Sequence, residues 1–244
     1  MSLLSAFRSS RPGFGGRYQL IVIGIAALVG LVASSTWFRT AQRSWKGVML
    51  ERQVNLDKEI SGKALINVWN DIQGLDEGFL PGRHLYLPSL AGQLLIQDRS
   101  IPTGEKSAAL PEAARAARTA LSREPADGMA WARLAWFEYL LGGPSPRVVS
   151  ALRMSIYTAP NKQRLVNWRL YLAARSRPFW DEGFETLVHG QIQQSWRVRP
   201  GALSRAALES DLLPTVRKAL ADDHDALNRL EELVSRHRPP VQSK

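Results

Sequence analysis

The chain has 244 residues, 45% of them hydrophobic and 22% charged, the composition of a folded protein rather than of a disordered or collagen-like one. It contains no cysteine, which excludes disulfides, thiolate zinc sites, iron–sulfur clusters and cysteine nucleophiles. Thirty-two Lys and Arg stand against 22 Asp and Glu, a net charge of +10 that suits contact with anionic material without naming it.

Residues 1–17 place Arg8, Arg11 and Arg17 among Ser9, Ser10, Pro12, Gly13, Gly15 and Gly16 with no hydrophobic period. They read as a basic flexible tail able to touch anionic lipid headgroups. Residues 18–38 follow without a single charge, and as a helix they measure about 30 Å, the thickness of a bilayer's hydrocarbon core. Tyr18 at one end and Trp37 with Phe38 at the other stand where amphipathic rings meet the two headgroup layers, and Arg17 and Arg39 are the charged stops. The rival is a cleaved signal peptide, because the apolar run 20–33 leads into Ala33, Ser34 and Ser35. In either case the bulk of the chain is exported. Arg8, Arg11 and Arg17 ahead of the span are matched by Arg39, Arg43, Lys46 and Arg52 behind it, so charge alone does not orient it. A short basic leader is easily retained while a long domain translocates whatever its charge. The expected location is therefore a bacterial inner membrane, crossed once, with the N-terminus cytoplasmic and the C-terminal domain periplasmic.

Residues 39–73 carry Trp45, Met49, Leu56, Ile60, Leu65, Val68, Trp69 and Ile72 at helical spacing, which predicts a juxtamembrane amphipathic helix that Gly47 and Gly62 weaken. Residues 74–110 are broken by Gly74, Gly78, Pro81, Gly82, Pro88, Gly92, Pro102 and Gly104 and read as an irregular connector, with room for a short helix over 89–97. From Pro111, a favoured first-turn residue, to 238 the pattern is helical throughout. Pro125, Asp127 as an N-cap, the Gly142, Gly143, Pro144 stop, Pro146, Pro160, Pro178 and Pro200 mark the helix limits, and Pro214 with Asp222 and Asp223 divide the last segment. Residues 239–244 are a polar tail. The chain is expected to be all-α, an N-terminal transmembrane helix followed by helical hairpins.

Pro125 and Pro160 lie 35 residues apart and Pro160 and Pro200 lie 40 apart, each interval holding two helices, the layout of a stacked helical-hairpin repeat. Trp131, Leu134, Ala135, Ala151 and Pro160 resemble the tetratricopeptide pattern, with Glu138 where that family has Tyr and Arg147 where it has a small residue.

Phosphate-loop, dinucleotide, nucleophile-elbow and His-Glu-x-x-His motifs are absent from the sequence, so no cofactor and no catalysis are expected. Asp223 and Asp225 form the one Asp-x-Asp pair with a chemical reading, hard oxygens for a divalent ion in a metal-dependent sugar transferase. The stronger reading is that acids gather at a helix start, where unpaired N–H groups favour them. Arg164, Arg169 and Arg197, with Trp168, Tyr171, Trp180 and Trp196 interleaved, are the candidate binding residues for an anionic glycan or an acidic partner. Arginine forks hold carboxylates or phosphates, and aromatic faces stack on sugar rings. Nucleic acid is not an expected partner at the inferred location.

At residues 122–125, 130–134, 151–155, Ala159 with Pro160, and 168–170, the chain resembles membrane-anchored helical accessory proteins of bacterial exopolysaccharide synthesis, of the Vibrio-polysaccharide type. The shared features are the single N-terminal span, a Pro-x5-Trp-x-x-Leu segment and an Ala-Leu-x-x-Ser turn before a proline. The resemblance implies a scaffolding role in making or exporting a surface polymer, with other synthesis or export components as partners and no catalytic residues to carry over. A general scaffold for envelope assembly or secretion is the alternative.

Overall fold

The computed structural model describes residues 15–56, 58–73 and 84–237, and among them every regular element is helical. The first, α1, runs Gly15–Asn55, 41 residues, about 60 Å at the usual rise. Its apolar part is exposed on every side, the large side chains from Ile21 to Val32 each keeping more than half of their surface open. A core helix of a water-soluble domain buries one stripe at least, and this one buries none of its most apolar stretch. It is the one helix among the described residues long and apolar enough to cross a membrane.

Beyond that stretch α1 continues unbroken and docks. Ser44, Gly47 and Leu50, spaced three apart on one side of the helix, are buried against α2 (Gly62–Ile72) and α3 (Leu87–Gln97). Gly47 does not divide the helix as its propensity suggests. Any Cβ there would lie 3.0 Å from the Leu87 Cδ1 atom, so the glycine is what lets α1 and α3 approach. The expected 39–73 helix is thus two elements, the end of α1 and then α2, with Ser61 capping the second through the Ala64 N–H. Trp45 and Leu56 from the predicted stripe remain in solvent. Two of the three docked residues, Ser44 and Gly47, are small, which a search for large apolar ones overlooks.

The expected irregular connector is overturned where the structure describes it. Helix α3 buries most of its residues, and Pro88 does not prevent it from forming because it sits in the first turn, where a missing N–H costs nothing. At Gly92 a Cβ would fall 2.5 Å from that of Ala113, so α4 (Thr103–Arg123) can lie directly on it. Helix α4 begins eight residues before Pro111, which therefore stands inside the helix and not at its first turn. An interior proline costs about 3 kcal/mol, and here burial of Ala109, Ala113, Ala114, Ala117 and Ala120 along one side offsets it.

The remaining helices follow the predicted breaks closely: α5 Gly128–Gly142, α6 Pro146–Thr158, α7 Gln163–Arg175, α8 Glu182–Val198, α9 Pro200–Glu209, α10 Leu213–Ala219 and α11 His224–His237. Asp127 caps α5 by accepting from the Met129 and Ala130 N–H groups, and Gly143, at φ +73°, turns the chain out of its end. Pro178 opens only a single 3-10 turn, Arg177–Phe179, and the long helix expected from it starts at Glu182 behind the Asp181 cap. Consecutive helices pack on one another as far as α10, while α11 packs on α9; α3 also touches α1 and α5, α5 touches α7, α6 touches α8, α7 touches α9 and α8 touches α10. One hydrophobic core runs from Leu50 in α1 to Val234 in α11. Of the expected tails, residues 15–17 begin α1, while 1–14 and 239–244 lie outside the described residues, as do Gly74, Gly78, Pro81 and Gly82.

Candidate functional site

The predicted arginine and aromatic residues do not form one surface. Arg169, on α7, is 1% exposed, so it presents nothing to a glycan. Its Nε donates to Ser155 Oγ at 3.0 Å, its Nη2 to the Ser155 carbonyl at 2.5 Å and its Nη1 to Gln191 Oε1 at 3.0 Å. Ser155 Oγ in turn donates to the Gly128 carbonyl, and Gln191 Nε2 donates to the Pro160 carbonyl. One cation thereby ties the start of α5, the end of α6, α7 and α8 together. All its acceptors are neutral, and burial pushes the guanidinium down to about 10. The Ser155 carbonyl lies in the last turn of α6, where the helix dipole favours a positive charge.

The aromatic residues divide in the same way. Trp168 packs its ring 6.0 Å from that of Trp136 against the core. Trp180 donates to the Ala173 carbonyl and meets Phe184 edge-on, fixing the turn between α7 and α8. Tyr171 is exposed, with Arg175 over its ring at 4.9 Å. Trp196 and Arg197 line a shallow hollow of 240 Å³ with Gln193, Leu220, Asp222 and Asp223. There Asp223 accepts from the Ala226 N–H at 2.9 Å and caps α11, while Asp225 stands exposed in its first turn. Among the described residues no three His, Asp or Glu side chains gather as metal ligands.

Of the predicted residues, Arg164 lines an open cleft of 430 Å³ between the end of α1, α3 and the starts of α5 and α7. Its most deeply buried lining residue is Arg133, which the sequence reading did not single out. Arg133 is 6% exposed, donates from Nε to Gln93 Oε1 at 2.9 Å and lies over the Tyr86 ring at 5.7 Å. Its Nη1 is buried without a hydrogen-bond partner. Burial lowers the guanidinium below its ordinary value, with nearby Asp127 opposing. Tyr86 is held well above the ordinary tyrosine range, first by burial and then by its hydrogen bond to the Glu51 carboxylate. A visible signal did exist: Arg133 interrupts Ala130, Ala132, Leu134, Ala135 and Phe137, and a charge on so apolar a helix has to be buried or functional.

Among the described residues, fold and sites together define an all-helical protein with one candidate membrane span and a cationic cleft in its folded part. Comparison with protein-family models, with curated proteins and with solved structures finds no match to this chain.

Proposed function

We propose that the chain is a non-catalytic scaffold, held in a bacterial inner membrane by α1 with its N-terminus cytoplasmic, whose periplasmic helical domain binds another component of an exopolysaccharide synthesis or export system. The observation that carries this reading is α1 itself. One helix is naked and apolar over its first half and welded to the folded core over its last turns, so its two ends serve two environments. A stacked-hairpin solenoid of tetratricopeptide type is the architecture we infer for the domain. Support comes from the packing of each helix from α5 to α9 on the next and on the next but one, and from the 35- and 40-residue spacing of the prolines. Such stacks present long surfaces for partners, and Leu140, Leu141, Tyr157, Tyr171 and Phe179 are large apolar groups left exposed on this one. The polymer-system assignment rests on the sequence resemblance alone.

Three experiments test it. An alkaline phosphatase fused behind Lys244 is expected to be active only if the domain is exported, and a cytosolic, inactive fusion overturns the topology. Crosslinking in cells followed by purification in detergent is expected to recover polymer-synthesis or export proteins. Recovery of secretion subunits alone overturns the polysaccharide assignment. Replacing Asp223 and Asp225 by Asn together is expected to leave the cellular function intact, whereas a transferase would lose it.

A further inference from the structure

We propose that the cleft lined by Arg133, Lys162 and Arg164 binds an organic anion, a carboxylate or phosphate carried on a small apolar body. Arg133 is the first reason. A guanidinium offers five N–H donors, and when buried it normally meets an acid or a full set of acceptors, since an unmatched buried donor is costly. Arg133 has one acceptor, Gln93, and a ring face, while its Nη1 has none.

The second reason is the company it keeps. Lys162 and Arg164, exposed at the mouth of the same cleft, make no ion pair among the described residues. The two carboxylates present are already engaged, Asp127 with the first N–H groups of α5 and Glu51 with the Tyr86 hydroxyl. Three cations thus border a space with two acids, Asp127 and Glu51, which act on Arg133 through space but spend their hydrogen bonds on α5 and Tyr86. The cleft keeps an excess of positive charge, and like charges are held together most readily when an anion joins them.

The apolar part of the ligand follows from the walls, where Val54, Leu90, Leu94 and Met129 face the same space. A cleft of 430 Å³ is the size of a small-molecule site. Its place along α1 identifies the source. Glu51 lies 13 residues past Phe38, about 20 Å beyond the end of the apolar stretch at the helical rise, so a ligand arrives from solution and not as the headgroup of a bilayer lipid. This inference is independent of the polysaccharide reading and stands or falls without it.

The test is calorimetric titration of the full-length chain in phosphatidylcholine nanodiscs with three probes: inorganic phosphate, acetate and 4-methylpentanoate. All three are expected to bind, 4-methylpentanoate the more tightly of the two carboxylates, and Arg133→Gln is expected to weaken each by about tenfold or more. Because Arg133→Gln changes a buried position, Lys162→Gln/Arg164→Gln is the second variant; both positions are exposed, and the pair is expected to weaken binding by about tenfold while the melting temperature holds. Failure of all three probes to bind, or binding unchanged in the double variant, overturns the proposal. Equal affinity for acetate and 4-methylpentanoate overturns its apolar half. Loss of probe binding when the nanodiscs are made of anionic phosphatidylglycerol, whose headgroup would then occupy the cleft, overturns the solution source.

Discussion

Arg169 and Arg133 are both buried arginines on adjacent odd-numbered helices, α7 and α5, and they are buried on different terms. Arg169 spends every face of its guanidinium on acceptors from α6 and α8, so it serves as an internal tie. Arg133 is nearly as deep but meets one acceptor and a ring, and it borders open space. Burial alone therefore does not separate a structural cation from a receptive one. What separates them is whether the partners are already in the protein.

The contrast can be broken by replacing each arginine in turn, with chemical denaturation of the detergent-solubilised chain as the readout. Arg169→Met leaves the Ser155 carbonyl and Gln191 unmatched inside the core and is expected to cost about 3 kcal/mol. Gln191→Leu strands both the Arg169 Nη1 and the Pro160 carbonyl and is expected to cost about 2 kcal/mol, less because the other two Arg169 bonds survive. Arg133→Met removes a poorly matched cation along with its single strong bond, so the change should stay within about 1 kcal/mol of the parent. A loss at Arg133 equal to that at Arg169 would make both structural and erase the distinction.

The smallest effect is a pH dependence at His189 on α8. Burial first, and Lys218 after it, lower His189 below 6.5, against the pull of Glu185 at 3.7 Å. Above 6.5 the ring is neutral folded or unfolded and contributes no slope. Below it the unfolded chain takes up a proton that the folded one resists, so stability falls with acidity until the folded ring also titrates. His189→Gln is expected to flatten that part of the stability curve, and an unchanged slope between parent and variant rules the assignment out.

Much of the helix punctuation was legible. Asp127 as a cap, Gly143 as a stop and prolines at helix starts or ends act through local chemistry, a side-chain oxygen near an N–H or a ring that fixes φ, and local chemistry is written in adjacent residues. In the sequence α3 shows only as a short helix within a loop because Pro88 and Gly92 are breakers by propensity, and only the approach of Ala113 and Trp69 shows why a glycine is wanted there. The site fared worse for the same reason. Ser155, Arg169 and Gln191 are 14 and 22 residues apart, so nothing near Arg169 in the chain announces that its partners will close over it. The aromatic residues stand out in the sequence as candidate binding groups, but helical spacing does not say which side of a helix faces inward: Trp168 and Trp180 pack against the core and Tyr171 is exposed.

The continuity of α1 has a mechanical consequence. With no loop between Phe38 and the first docked residue, Ser44, the folded part has no swivel. One residue inserted between them would turn everything beyond it by about 100° and lift it by about 1.5 Å. Whatever mouth of the molecule now points toward a neighbour embedded alongside it would point elsewhere, and a second insertion would turn it further. The phase of the helix, counted in residues, is therefore the compass bearing of the cleft.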